Sequence, residues 1–190
     1  MDKMGYILII AVLIVVFAVM SGNSSDKKPS LKEGDKAPDF SALTDEGKKV
    51  SLADFRGKNV VLYFYPKDDT PGCTKEACSF RDSFGKIRSL GAVILGVSLD
   101  TAESHKKFRE KYNLPFPLLV DKDGEISKKY NAFTQYLRTL RFSKRMTYII
   151  DREGIIRKIY AKVDISKHSE NIYNDLESIV AEEKTGEKDE

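Results

Sequence analysis

Two cysteines, Cys73 and Cys78, are the side chains of this sequence best suited to covalent chemistry. Their surroundings read Val60-Val61-Leu62-Tyr63-Phe64-Tyr65, then Pro66-Lys67-Asp68-Asp69-Thr70-Pro71-Gly72-Cys73, then Thr74-Lys75-Glu76-Ala77-Cys78-Ser79-Phe80-Arg81-Asp82. Six β-branched, Leu and aromatic residues in a row predict a buried strand. Pro66 ends it, because proline brings no N–H to a ladder. The polar run and the Pro71-Gly72 pair predict a turn. Thr70 fits an N-cap, and Pro71 then falls at the first helical position, where a missing N–H does no harm. Cys73 is therefore expected in the first turn of a helix that follows a strand. Free N–H groups and the positive end of the helix dipole there favour thiolate, the nucleophilic form. The competing reading is a small buried hydrophobe.

Cys78 follows five residues later. On an ideal helix that is a rise of roughly 7.5 Å and a turn of about 140°, with Cα atoms roughly 8 to 9 Å apart. A disulfide needs Cα atoms within about 7 Å, so the pair can join only if the first turns unwind. Three readings are open: a redox couple that opens during turnover, a structural staple and a metal site. The spacing disfavours a permanent staple. With only His105 and His168 as further soft ligands, it also makes a poor zinc set.

Further elements are needed to position this stretch. Residues 37–43 read as extended with Phe40 in the core, 44–48 as a turn, and 50–58 as a short strand and one helical turn. Residues 92–98 form a second apolar strand, and 101–112 a polar helix capped near Asp100 or Thr101. Residues 113–120 are a loop and short strand, 121–124 a turn and 125–130 a short helix. Residues 146–150 and 155–160, joined by a turn at 151–154, predict a hairpin. Residues 168–182 form an amphipathic helix with Ile172, Leu176, Ile179 and Val180 inward. His105 and His168 both read as surface residues. Strands alternating with helices, then a hairpin and a closing helix, predict a mixed sheet flanked by helices.

At 190 residues the chain holds one domain with a good core plus appendages. It is 41% hydrophobic and 32% charged, with a net charge of +3. Acidic residues interleave with basic ones, so composition gives no case for a nucleic-acid partner. Residues 4–20 are apolar and uncharged, at the short end for a membrane span. The expectation is one transmembrane anchor over 1–24, a polar linker over 25–34, a domain over 35–182 and a charged tail over 183–190. A cleaved signal peptide and an ordinary buried helix are the alternatives for the apolar run. The flanking lysines argue for a cytoplasmic domain and the short N-terminus for export, so the side stays open.

The run Pro66-x-x-x-Thr70-x-x-Cys73 resembles the active-site motif of the peroxiredoxins. The longer string from Tyr63 to Asp82 is similar to the bacterioferritin-comigratory-protein, or peroxiredoxin Q, subfamily. The resemblance spans residues 34–180 and implies a thioredoxin-like α/β fold and a thiol peroxidase, with peroxide as substrate. It implies Cys73 as the attacking thiolate, Cys78 as its disulfide partner and a thioredoxin-like dithiol as reductant. No metal, flavin or haem is implied, and the subfamily leans to a monomer. Arg145, in Arg145-Met146-Thr147-Tyr148-Ile149-Ile150, resembles the family's Arg that contacts thiolate and peroxide. The hydroxyl of Thr70 can reach the sulfur or a bound oxygen, and Pro66 shields the site from water. Glu76 and Arg81 match the string too and read as an ion pair or surface charges. Residues 131–144 depart from the subfamily's Gly- and Lys-rich loop, and no Asp or Glu lies between Ile126 and Ile150. Two other classes compete: a membrane-tethered thiol–disulfide exchange enzyme and an anchored binding module.

Overall fold

The apolar run at the centre of the sequence is buried along its whole length, and two helix-covered strands pair with it. In the computed structural model residues 30–136 and 139–186 are described. The apolar run 4–20 lies outside them, as do Arg138 and the end of the tail. No helix among the described residues is long and apolar enough to cross a membrane.

The chain forms β1 (Ser41–Thr44), β2 (Lys49–Ser51), a 3-10 turn (Leu52–Phe55), β3 (Asn59–Phe64) and α1 (Pro71–Ser89). It continues through β4 (Ala92–Ser98), α2 (Ala102–Tyr112), β5 (Leu118–Val120), α3 (Glu125–Lys129) and β6 (Phe133–Tyr136). It closes with β7 (Leu140–Ser143), β8 (Met146–Ile150), β9 (Ile156–Tyr160) and α4 (His168–Gly186). A seven-stranded sheet has the order β2-β1-β5-β4-β3-β8-β9, and β6 and β7 form a separate hairpin. The β3–β4 and β4–β5 pairs are parallel, as strands joined through crossover helices must be. The β3–β8 and β8–β9 pairs are antiparallel. The sheet is therefore mixed.

Alternation along β3 divides the core in two. Val61, Tyr63 and the following Tyr65 pack under α1, α2 and α4, against Phe80, Ile87, Phe108, Ile172, Leu176 and Ile179. Val60, Leu62 and Phe64 face the N-terminal segment, the 3-10 turn and α3, through Phe40, Leu52, Ile126 and Tyr130. The hairpin of β6 and β7 was not legible in the sequence. Its residues are Phe-Thr-Gln-Tyr and Leu-Arg-Phe-Ser, too polar for a strand pattern, and Tyr136 and Leu140 stay exposed.

Both histidines are inside the protein, against the surface placement expected of them. His105 on α2 is fully buried, and His168 at the start of α4 nearly so. Each is carried by a helix whose inner face meets polar partners that lie far off in sequence.

Gly96 on β4 is closely packed within the core. A Cβ there would lie 2.7 Å from the Tyr63 hydroxyl and 2.7 Å from Leu118 Cδ2. Neither neighbour can move freely, since both are fully buried. Gly96→Ala should therefore destabilise the fold by roughly 1 to 3 kcal/mol, the usual cost of overpacking a filled core. Urea denaturation of the variant beside the wild type measures it, and an unchanged midpoint would show that the core yields.

Candidate active site

Tyr65 to Thr70 link the end of β3 to α1. Thr70 is the N-cap by backbone position, with φ −90° and ψ 150°, and Pro71 opens the helix. Cys73 thus lies in the first turn, and both cysteines are free thiols. Cys73 is 2% exposed and packs with Tyr63, Tyr65 and Ala77. Cys78 is half-buried further along the same helix.

The sheet register brings the cation. Phe64, the last residue of β3, pairs with Met146, the first of β8. The residue before Met146 therefore stands at the end of the sheet where β3 turns into α1. That residue is Arg145, whose Nη2 donates to the Cys73 sulfur at 3.2 Å. Its Nη1 donates to the carboxylate of Glu76. Glu76 follows Cys73 by three residues, so the two share one face of α1. One guanidinium thus bridges a sulfur and a carboxylate one turn apart.

Glu76 is not the surface charge expected from the sequence. Its side chain is wholly buried, and Arg81 is not its partner. Arg81 pairs with Asp82, donates to the Tyr112 carbonyl and lies beside Cys78. Among the described residues the second oxygen of Glu76 has no hydrogen-bond partner, and it lies 3.9 Å from His168 Nε2. His168 Nε2 is also 2.8 Å from the Thr147 hydroxyl, which projects from β8.

Thr70 does not cap the helix through its side chain. Its hydroxyl donates to the Lys67 carbonyl at 3.0 Å, within its own turn. With that proton committed, the oxygen retains lone pairs that can accept. Pro66 is half-buried and lines a cavity of about 440 Å³ with Leu99, Leu140 and Phe142. The cavity joins the active-site turn to the β6–β7 hairpin. Among the described residues no group of three or more His, Cys, Asp or Glu is placed to hold a metal ion.

The sequence string therefore brings Cys73, Thr70 and Pro66 to one end of the sheet, and the β3–β8 register adds Arg145. Glu76 could have been placed from its spacing to Cys73. His168 and Thr147 could not, because only the packing of α4 and β8 delivers them.

The pattern of the AhpC/TSA family matches residues 33–159. A putative peroxiredoxin bcp of Coxiella burnetii is 46% identical over 142 residues, covering 73% of this chain and 94% of that protein. Peroxiredoxin Bcp of Bacillus subtilis is 45% identical over 142 residues, covering 73% and 90%. Among solved structures, peroxidoxin BcpB of Mycobacterium tuberculosis superposes with a TM-score of 0.75 at 31% identity, over 78% of this chain and 98% of that one.

Two buried groups of the site respond to pH in opposite senses. Burial pushes Glu76 up to about 7, from an ordinary 4.5, against the pull of Arg145. Burial, and then Arg145, push His168 down to about 4, from 6.5. The Glu76 contribution to stability is full below about pH 4.5 and is lost as pH rises through about 7. The His168 contribution is present above about pH 6.5 and is lost as pH falls through about 4. The two slopes offset each other where they overlap, so single variants should unmask them. Relative to the wild type, Glu76→Gln should gain stability as pH rises through this window and His168→Gln should lose it. Each drift should reach up to roughly 3 kcal/mol. Denaturation at several pH values reads both, and parallel curves for all three proteins would contradict the assignment.

Proposed function

This chain belongs to the AhpC/TSA family and is a thiol-dependent peroxidase of the peroxiredoxin kind, and on that premise we propose that Cys73 is the sulfur that attacks the peroxide. The observation that carries this is the Arg145 guanidinium 3.2 Å from the Cys73 sulfur at a helix start. A cation there stabilises a thiolate and the negative charge that develops on the departing oxygen.

In the proposed first step the thiolate attacks one oxygen of the peroxide. An S–O bond forms and the O–O bond breaks. The second oxygen leaves as hydroxide or alkoxide and takes up the proton that the Cys73 thiol released on ionising, giving water or alcohol, and Cys73 becomes a sulfenic acid. The Thr70 oxygen accepts from the peroxide O–H and aligns it. Pro66 keeps bulk water from the sulfur.

Cys78 completes the proposed cycle. It lies five residues on along α1, too far for a disulfide while the helix holds. The first turns of α1 unwind, the Cys78 thiolate attacks the Cys73 sulfenic sulfur, and water leaves as the S–S bond forms. Glu76 lies between the two cysteines, so this step also takes it out of its buried pair with Arg145. A thioredoxin-like dithiol then reduces the intramolecular disulfide by exchange. The names of the relatives support a peroxide as substrate. We place the enzyme as a monomer held to a membrane by a single-pass anchor at residues 4–20, whose apolar composition supports that reading.

The test is peroxide consumption by the reduced protein with a dithiol present. Cys73→Ser should abolish it. With the dithiol left out, Cys78→Ser should consume one equivalent of hydrogen peroxide and then stall, and a small thiol should restore turnover unless the sulfur has already over-oxidised. Peptide mapping of the oxidised wild type should give Cys73 linked to Cys78. Sustained turnover by Cys73→Ser would overturn the assignment. The anchor is tested separately: alkaline extraction should leave the full chain with the membrane and release a chain lacking residues 1–24.

A further inference from the structure

The turn that delivers Cys73 is itself held by a buried polar cluster centred on Asp68. The Asp68 carboxylate accepts from the Tyr65 hydroxyl at 2.7 Å and from the Ser104 hydroxyl at 2.7 Å. It also faces His105 Nδ1 at 2.9 Å. His105 Nε2 lies 3.2 Å from the Leu119 carbonyl on β5. Carboxylate and carbonyl oxygens accept hydrogen bonds and cannot return one. In its contact with Asp68, Nδ1 is therefore the donor. The Asp68 backbone N–H is tied as well, donating to Asp100 Oδ2 at 3.0 Å.

The next residue is tied to the same helix. Asp69 is in the left-handed region at φ 54°, which is uncommon for a residue with a Cβ. Its carboxylate accepts from Lys111 Nζ at 2.7 Å and from the Tyr112 hydroxyl at 2.6 Å. Two residues in the middle of the active-site turn are thus moored to α2 and to the turn before it. Thr70 and Cys73 follow at once.

We propose that His105 is a positioning residue for the peroxide step, acting through Asp68 to fix the turn that sets Thr70 and Cys73 against Arg145. This rests on the reading of Cys73 as the attacking sulfur. A buried carboxylate with three side-chain donors resists displacement, because losing a donor leaves charge unpaired in the interior. The cluster lies before Cys73, on the side of the turn that need not move when α1 unwinds toward Cys78. It holds one side of the site in register while the other opens.

The experiment measures single-turnover peroxide consumption per folded molecule, with the full chain reduced beforehand. Ser104→Ala removes one donor from Asp68 at a half-buried position and serves as the mild variant. His105→Gly removes the ring and leaves room for added imidazole. Val50→Ala, on edge strand β2, is the control for lost stability without a lost mooring. The expected result is a rate about tenfold lower in His105→Gly, restored by imidazole, and a smaller loss in Ser104→Ala, while Val50→Ala keeps the wild-type rate. The proposal is overturned if Ser104→Ala matches Val50→Ala, or if a folded His105→Gly reacts at the wild-type rate or ignores imidazole. Should His105→Gly fail to fold, Ser104→Ala decides alone. Cys73→Ser is run beside them. Activity in that variant would overturn the reading of the sulfur, whereas its silence with normal His105 and Ser104 variants would overturn the mooring alone.

Discussion

A single guanidinium ties the reactive end of this molecule together. Arg145 reaches from the start of β8 to the sulfur of Cys73 and to the carboxylate of Glu76. The contact joins the two chain segments that create the site, the strand-to-helix turn and the antiparallel strand beside it. Both ends depend on register. A slip of one residue between β3 and β8 would turn every side chain of β8 to the opposite face and remove the cation. The fully buried core on both sides of β3 is what prevents that slip.

The same contact bears on both proposed chemical steps. Attack on peroxide is favoured by an intact helix start with the cation close to the sulfur. Disulfide formation requires those turns to come apart. Glu76 stands inside the segment proposed to unwind, and its side chain is wholly buried against Arg145. Its partners are few: Arg145 on one oxygen, and His168 at 3.9 Å from the other. A carboxylate this dry and this thinly bonded is disfavoured in the protein interior relative to water, which is why burial pushes Glu76 up to about 7. By contrast Asp68, with three side-chain donors, stays where it is.

How far the sequence could be read follows from where each signal lives. The strand, turn and helix around Cys73 were legible because apolar runs, Pro and Gly act locally. The α2 cap was legible to within Asp100 or Thr101 for the same reason, and it is Thr101 whose hydroxyl accepts from the Ser104 N–H. Arg145 came from resemblance to a family motif, since nothing local tells a long side chain which strand end it will meet. His105, His168 and Glu76 were misplaced for one common reason. A polar residue on a helix looks solvated until its partners are known, and here those are Asp68, Thr147 and Arg145, distant in sequence. Thr70 was half legible: its backbone caps the helix as expected, but its hydroxyl turns back to Lys67.

The role of the shared guanidinium is open to one direct measurement. Reduced protein carrying Arg145→Met would be mixed with a single equivalent of hydrogen peroxide, and the rate of peroxide loss followed beside the wild type, with melting curves to confirm that both are folded. A cation that stabilises both the attacking sulfur and the departing oxygen contributes on the order of 3 kcal/mol, so the rate should fall by roughly a hundredfold. A folded variant that reacts within twofold of the wild type would show that Arg145 holds the structure without serving the chemistry.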